Sequence, residues 1–174
     1  MISRRNFLIA VTAAMTVYPF RSALASQQTE RVLNMFNTHT GESIDLKYYS
    51  AGIYDQKALD SINYLLRCHY TNEVETMDIR VLDLLSEISA GFGVNKRIEI
   101  ISGYRSPVYN QFLLSHGRNV SKNSLHLHGL AIDFTIPGVS TDKVAKAAKS
   151  FAVGGVGQYP AEFVHIDSGR IRYW

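Results

Sequence analysis

The stretch that says most about fold and site is "SLHLHGLAIDF", residues Ser124 to Phe134. Its second half continues into "LAIDFTI", an apolar run with the length of a buried strand, yet this run contains Asp133. An ionised carboxylate inside an apolar strand costs several kcal/mol of free energy unless it is paired or bound to a cation. The candidate partners are His126, just before the strand, and His165, in the short apolar segment "FVHID".

Two imidazoles and one carboxylate, from His126, His165 and Asp133, form the donor set of a catalytic zinc site that keeps its fourth position for water. We therefore predict one zinc ion per chain. Non-haem iron sites use the same donor types, but their first histidine and acid are usually separated by a single residue, whereas six residues separate His126 from Asp133. Ligation by His128 is disfavoured because a catalytic site keeps one position open.

The rest of the chain shows patterns of both strands and helices. Strands are predicted at 32–36, at 44–49 and in the segments "RIEIIS", "LAIDFTI", "EFVHID" and "RIRYW", with "GGVGQYP" as a connector. Helices are predicted from Asp55 to about Tyr70, after Asp78, from Pro107 and after Ser140 or Thr141. Because strands and helices do not alternate regularly, we predict a single α+β domain with a largely antiparallel central sheet and flanking helices.

The first 25 residues have the features of a bacterial export signal. The segment "SRRNFL" resembles a twin-arginine signal, and an apolar run to residue 20 and an A-x-A site at 23–25 follow it. We therefore expect a signal peptide at 1–25, a domain at 26–174 and export to the periplasm, with membrane contact only during export. An uncleaved anchor is disfavoured because the apolar run is shorter than the roughly 20 residues that span a bilayer.

The charge balance of residues 26–174 limits the choice of partners. The 174-residue sequence contains 18 Lys+Arg and 15 Asp+Glu, and three of the arginines lie in residues 1–25. The remaining chain therefore carries 15 basic and 15 acidic residues and has no formal net charge. Because nucleic-acid binding requires a basic surplus, we expect no nucleic-acid partner. The length suits one domain with its own core, and we expect a monomer.

The pattern S-x-H-x-x-G-x-A-x-D at 124–133, together with "ISGYRS" and "FVHID", resembles the zinc D-Ala-D-Ala peptidase group. More narrowly, it resembles the periplasmic murein endopeptidases of that group. The likeness includes "LNMFNTHTGESI", "GGVGQYP" and "FVHIDSGRIRYW", and so covers most of the chain after the signal. The resemblance implies a Hedgehog/D-Ala-D-Ala-peptidase-type fold, peptidoglycan as the partner, and zinc-dependent hydrolysis of amide bonds in peptide cross-links.

The resemblance also implies roles for individual residues. His126, Asp133 and His165 match the zinc ligands. Arg105 in "GYRS" matches the arginine that steadies the substrate carbonyl or its developing oxyanion. Ser124 matches a residue of the substrate pocket.

Two acids compete for the role of general base. Glu162, three residues before His165, matches the base of several family members. Asp167 shares a strand face with His165, so it could act as the base or could instead orient His165 from behind. Tyr104 and His128 complete the set of substrate-binding candidates.

Two other functions remain open at this stage. A non-catalytic module could use zinc for stability while it binds cell wall or protein, and it would lack a carboxylate near the metal. A D,D- or L,D-carboxypeptidase would trim free stem peptides in a closed pocket, whereas an endopeptidase needs a groove that extends to both sides of the metal. The other histidines, His39, His69 and His116, are expected at the surface.

Overall fold

The structure is a computed structural model that describes residues 30–174, and the predicted export signal at 1–25 lies outside the described residues. The strands are β1 (Glu30–Asn37), β2 (Ser43–Ser50), β3 (Ile53–Tyr54), β4 (Arg97–Ser102), β5 (Ala131–Thr135), β6 (Gly155–Tyr159), β7 (Phe163–Asp167) and β8 (Arg172–Tyr173). The helices are α1 (Gln56–Leu65), α2 (Ile79–Ala90), α3 (Pro107–Ser115) and α4 (Thr141–Ser150), with a short 3-10 helix at Leu125–His128. Within residues 30–174, no helix has both the length and the apolar character needed to cross a membrane.

The strands of the described chain form one sheet in the order β3-β2-β1-β4-β5-β7-β6-β8. β1 pairs in parallel with β4, and β6 pairs in parallel with β8, whereas the other pairs are antiparallel. Helices α1, α2 and α4 pack against strands of this sheet. The predicted α+β class, with a largely antiparallel sheet and flanking helices, is therefore confirmed.

Polar side chains mark the starts of three helices. The Asp55 carboxylate accepts hydrogen bonds from the backbone N–H groups of Lys57 and Ala58 at the start of α1. Asp78 caps α2 and Ser106 caps α3 in the same manner. Each cap satisfies a backbone donor that has no partner within the helix, which is why the helices begin at these points.

The predicted extension of α1 to about Tyr70 is wrong, because the helix ends at Leu65. The chain then forms a tight loop in which the Asn72 N–H donates to the Cys68 carbonyl at 2.7 Å. The Cys68 N–H donates in turn to the Glu73 carbonyl at 2.9 Å. This loop satisfies the backbone without a further helical turn.

The "GGVGQYP" segment is also corrected, since residues Gly155–Tyr159 form strand β6 rather than a connector. Glycine has a low intrinsic preference for strands, but β6 is hydrogen-bonded on both sides, to β7 and to β8. Pairing with distant parts of the chain therefore outweighs the local preference of the sequence.

Strand alternation separates the core from the functional face. In β5, Ile132 and Phe134 belong to the hydrophobic core, so Asp133 between them faces the opposite side of the sheet. The same alternation in β7 places His165 and Asp167 on the face opposite the core. The sheet thus positions acidic and imidazole groups together on one surface.

Candidate metal centre

Strand register brings Asp133 and His165 together. Asp133 in β5 is the direct cross-strand partner of His165 in β7, and His165 lies opposite Gly157 in β6. Directly opposed residues on neighbouring strands have side chains in contact. His165 Nδ1 accordingly lies 2.7 Å from Asp133 Oδ1.

His126 reaches the same point from the short 3-10 helix that precedes β5. Gly129 ends this helix with a φ of 64°, and a Cβ at this position would lie only 2.5 Å from the Thr76 carbonyl oxygen. Glycine is needed there for both reasons. The resulting turn places His126 Nε2 at 3.3 Å from Asp133 Oδ2 and at 3.3 Å from His165 Nδ1.

Hydrogen bonds on the far side of each ring determine which nitrogen faces the centre. His126 Nδ1 lies 2.8 Å from the Gly103 carbonyl oxygen, which can only accept, so Nδ1 carries a proton. His165 Nε2 lies 3.1 Å from a carboxylate oxygen of Asp167 and donates to it. The nitrogens that remain for a ligand are therefore Nε2 of His126 and Nδ1 of His165, which are the two that face Asp133.

The spacing of these donors fits a zinc ion. One ligand atom from each of His126, Asp133 and His165 lies within 4.8 Å of the other two. Two atoms that each lie ~2.0–2.1 Å from a tetrahedral zinc are ~3.3 Å apart. His126 Nε2 lies 3.3 Å from both His165 Nδ1 and Asp133 Oδ2, and His165 Nδ1 lies 2.7 Å from the other carboxylate oxygen, Asp133 Oδ1.

The electrostatics of the centre also favour a cation. Burial alone raises the pKa of Asp133, but His126 and His165 outweigh this effect and hold the pKa well below its usual range. Burial likewise lowers the pKa of His165, but hydrogen bonds to Asp133 and Asp167 outweigh it and raise the pKa to about 9. Without a metal, a proton on His165 supplies the positive charge, and a metal must displace that proton in order to bind.

Asp167 is a fully buried carboxylate whose oxygens are already occupied. Its Oδ1 accepts from the N–H groups of Gly155 and Gly169 at 3.0 and 2.8 Å. Arg172 donates to both oxygens, at 3.1 and 2.7 Å, and His165 Nε2 also lies against Oδ2. Burial raises the pKa of Asp167, but these hydrogen bonds outweigh it and lower the pKa to about 2.

Arg105 stands beside the centre with few partners of its own. It is 8% exposed, and its Nη2 lies 3.9 Å from Asp133 Oδ2. Within residues 30–174, its side chain makes one hydrogen bond, a long one of 3.4 Å to Ser102 Oγ. A buried guanidinium with so few acceptors is free to bind a polar group of a ligand.

The three residues of the centre line a cavity of about 390 Å³, and Asp133 also lines a neighbouring cavity of about 540 Å³. Both cavities are lined by Arg105, Asn119, Val120, Asp133, Tyr159 and Phe163. We call the remainder of the first cavity the tryptophan arm, lined by Ser121, Asn123, Ser124, Leu125, Arg172 and Trp174. We call the remainder of the second the histidine arm, lined by His39, His69, Tyr109, Leu113, Arg118 and Glu162. The sheet order places Trp174 beyond β6 and His39 beyond β4, so these two lining residues lie on opposite sides of β5, the strand that carries Asp133.

Some of the predicted substrate-binding and base residues line this groove, and others do not. Ser124 is buried and lines the tryptophan arm, whereas Glu162 is exposed and lines the histidine arm. Asp167 lies behind His165 rather than in either arm. Tyr104, at 8% exposure, and the exposed His128 line neither cavity.

Trp174 and Arg172, which the sequence analysis did not single out, complete the tryptophan arm. The Trp174 ring lies 5.3 Å from the His165 ring, and Trp174 Nε1 donates to the Tyr159 hydroxyl at 3.3 Å. The indole covers Gly157, where a Cβ would lie 2.5 Å from it. Arg172 stacks over the same indole at 5.0 Å. The glycine in β6, opposite the predicted ligand His165, was the one sequence signal for this close approach.

An α+β domain that gathers two imidazoles and a carboxylate at one point of a groove has the architecture of a single-metal hydrolase. The family profile described as peptidoglycan L,D-endopeptidase MepK matches residues 25–174. The chain belongs to this family.

Individual relatives agree with the family match. The chain is 37% identical over 177 residues to the peptidoglycan L,D-endopeptidase MepK of Escherichia coli (strain K12), covering 99% of this chain and 97% of the relative. It is 38% identical over 154 residues to the probable peptidoglycan L,D-endopeptidase MepK of Haemophilus influenzae, covering 87% and 83%. The predicted membership of the zinc D-Ala-D-Ala peptidase group, in its murein endopeptidase branch, is confirmed, and so is the prediction of an enzyme.

Proposed function

We propose that this protein is a zinc-dependent peptidase that hydrolyses amide bonds in the peptide cross-links of peptidoglycan. One observation carries the proposal: the donor atoms of His126, Asp133 and His165 converge at the wall of a cavity, and Asp133 also lines the neighbouring one. The relatives are named L,D-endopeptidases, and we assign the same bond type to this chain.

In this proposal, His126 Nε2, His165 Nδ1 and an oxygen of Asp133 hold one zinc ion. When bound, zinc polarises the scissile carbonyl and lowers the pKa of water at the site. Asp167 acts as a positioning residue, because its hydrogen bond to His165 keeps the proton on Nε2 and leaves Nδ1 for the metal.

Glu162 is the proposed general base. It is exposed and lines the histidine arm together with Asp133, so its carboxylate is free to take a proton from the attacking water and deliver it to the leaving amine. Asp167 is unsuited to that role, since it is fully buried and both of its oxygens accept hydrogen bonds from the protein.

Arg105 and Ser124 are the proposed substrate-binding residues closest to the metal ligands. Arg105 lines both arms beside Asp133, and its permanent charge suits it to stabilise the negative charge that develops on the carbonyl oxygen. Ser124 lines the tryptophan arm two residues before His126 and offers a hydroxyl to the substrate backbone.

The shape of the groove favours an endopeptidase over a carboxypeptidase. A cross-link has peptide on both sides of the cleaved bond, and the cavity linings that include Trp174 on one side of β5 and His39 on the other support this choice. We also propose that residues 1–25 direct export by the twin-arginine pathway and that the protein acts in the periplasm, where peptidoglycan lies. A monomeric state remains our expectation.

The proposal is tested by metal analysis and by mass spectrometry of cross-linked muropeptides incubated with the protein. We expect about one zinc per chain and conversion of dimers to monomers by the wild-type protein. His165→Ala should lose both properties, whereas the matched control His116→Ala, at an exposed residue that lines neither arm, should keep both. Unchanged dimers in the presence of stoichiometric zinc would instead favour a binding module, and full activity of His165→Ala would refute the mechanism.

A further inference from the structure

One wall of the histidine arm is a stack of aromatic rings. The rings of His39 and His69 lie 3.9 Å apart and within 9° of parallel. The His69 ring then meets Tyr109 edge-on, at 4.8 Å between centroids. Both histidines were expected at the surface; His39 is exposed, but His69 is half-buried because its ring packs between His39 and Tyr109.

The three rings of this wall come from separate parts of the chain. His39 follows β1, His69 follows α1, and Tyr109 belongs to α3. His39 Nε2 lies 3.1 Å from the Ile101 carbonyl oxygen and donates to it, which fixes the ring. Because the rings are positioned in advance, a ligand that binds against them costs little side-chain entropy.

Two arginines of the histidine arm can pair with an anionic group of a ligand. The Arg105 side chain makes one long hydrogen bond within the described chain, to Ser102, and the exposed Arg118 adds a second positive charge. Glu162 is the one acid that lines this arm besides Asp133, the proposed metal ligand. Burial, and then the nearby His39 and Arg105, lower the pKa of His69, so the His69 imidazole adds a hydrogen-bonding group rather than charge.

We propose that the histidine arm binds a peptide segment of the substrate that carries a free carboxylate, with Arg118 as its charged partner and the faces of His39, His69 and Tyr109 as its wall. The inference rests on the proposed function, because it assigns this segment to one side of the cleaved bond. The side chains that form the arm thereby distinguish a peptide with a free carboxylate from the same peptide with a carboxamide. Hydrogen bonds from an arginine to the charged carboxylate are stronger than those to the neutral amide.

Binding is measured first, with a ligand that contains no cross-link. The imidazole resonances of His39 and His69, assigned with His39→Asn and His69→Gln, are followed by NMR during titration with the stem peptide isolated from peptidoglycan. The same peptide with its carboxyl groups converted to carboxamides is the comparison. We expect the free-carboxylate peptide to shift both resonances and to bind about tenfold more tightly than the amidated peptide.

Variants then test whether the arm itself makes the distinction. Arg118→Gln should bring the affinities for the two peptides to within about twofold of each other. The matched control Lys146→Gln removes an exposed positive charge from α4, away from the groove, and should retain the full distinction. Equal binding of the two peptides by the wild-type protein, or an undiminished distinction in Arg118→Gln, would overturn the proposal.

Hydrolysis of the cross-linked dimer and of its amidated form separates this inference from the proposed function. Faster cleavage of the free-carboxylate dimer, through a lower KM, supports both. Cleavage of both dimers with equal KM overturns the inference and leaves the peptidase function standing. Discriminating binding without cleavage of either dimer refutes the peptidase function and leaves the carboxylate site standing.

Discussion

Asp133 and Asp167 are both buried carboxylates on the same face of the sheet, yet their surroundings differ sharply. Asp167 receives five hydrogen bonds, two from backbone N–H groups, two from Arg172 and one from His165. Asp133 has two imidazoles, whose outer nitrogens are already occupied, and an arginine at 3.9 Å. A carboxylate that the protein satisfies completely is a structural support, whereas one that it satisfies only in part is left to bind a cation.

The largest expected difference between the two aspartates is in activity. Asp133→Asn should lower kcat/KM for cross-linked muropeptides by at least about a thousandfold, because it removes a proposed metal ligand. Asp167→Asn should lower it by about 10- to 100-fold, because it disturbs only the orientation of His165. The rates are measured by chromatography of the products. Equal losses in the two variants would show that the distinction drawn between the aspartates is false.

Zinc should separate the two variants in stability. Asp167→Asn leaves the half-buried Arg172 without its carboxylate partner, and the loss of these charged hydrogen bonds should lower the unfolding free energy by about 2 kcal/mol. Urea denaturation in the presence of a chelator measures this loss. Added zinc should raise the melting temperature of Asp167→Asn but leave that of Asp133→Asn unchanged. Zinc stabilisation of Asp133→Asn would contradict the assignment of that residue as a ligand.

Acid should remove the contribution that Asp167 makes to the free energy of unfolding. The hydrogen bonds to this carboxylate lower its pKa from 3.8 to about 2 in the folded protein, so its contribution is complete above about pH 4 and is lost as pH falls towards 2. The difference in unfolding free energy between wild type and Asp167→Asn should therefore shrink by about 2 kcal/mol between pH 5 and pH 2. Because other carboxylates titrate in both proteins, a constant difference would count against this account.

The smallest expected effect concerns the geometry of the Arg172–Asp167 pair. Arg172→Lys keeps the charge but cannot reproduce the two-pronged hydrogen bond. It should lower the unfolding free energy by about 1 kcal/mol, with zinc content unchanged, whereas Arg172→Gln should lower it further. Metal analysis alongside denaturation checks both expectations. Loss of zinc in Arg172→Lys would mean that Asp167 is coupled to the metal more tightly than its hydrogen bonds indicate.

Local sequence predicted the parts of this comparison that depend on strand alternation. An aspartate between Ile132 and Phe134 must face away from the core whenever these neighbours face inward, and the same holds for His165 in "FVHID". The capped starts of α1 and α2 were also predictable, because Asp55 and Asp78 bond their own helices. Short-range hydrogen bonding and alternation are properties that a sequence carries on its own.

The features of the fold and the site that the sequence did not predict depended on pairing between distant segments. The parallel pairing of β6 with β8 brings Arg172 to Asp167 and Trp174 over Gly157, and the short "RIRYW" segment does not encode that register. Glycine-rich β6 was therefore misinterpreted as a connector. The histidine arm was missed for the same reason, since its rings come from a turn, a loop and a helix that meet only in the folded protein.

The most direct test of the central claim is crystallographic. Crystals of the zinc-loaded protein, measured on both sides of the zinc absorption edge, should show one anomalous peak ~2.0–2.2 Å from His126 Nε2, His165 Nδ1 and an oxygen of Asp133. Asp167 should remain hydrogen-bonded to Arg172 and should not touch the metal. A peak that contacts Asp167 instead, or no peak among these three side chains in zinc-loaded crystals, would contradict the account.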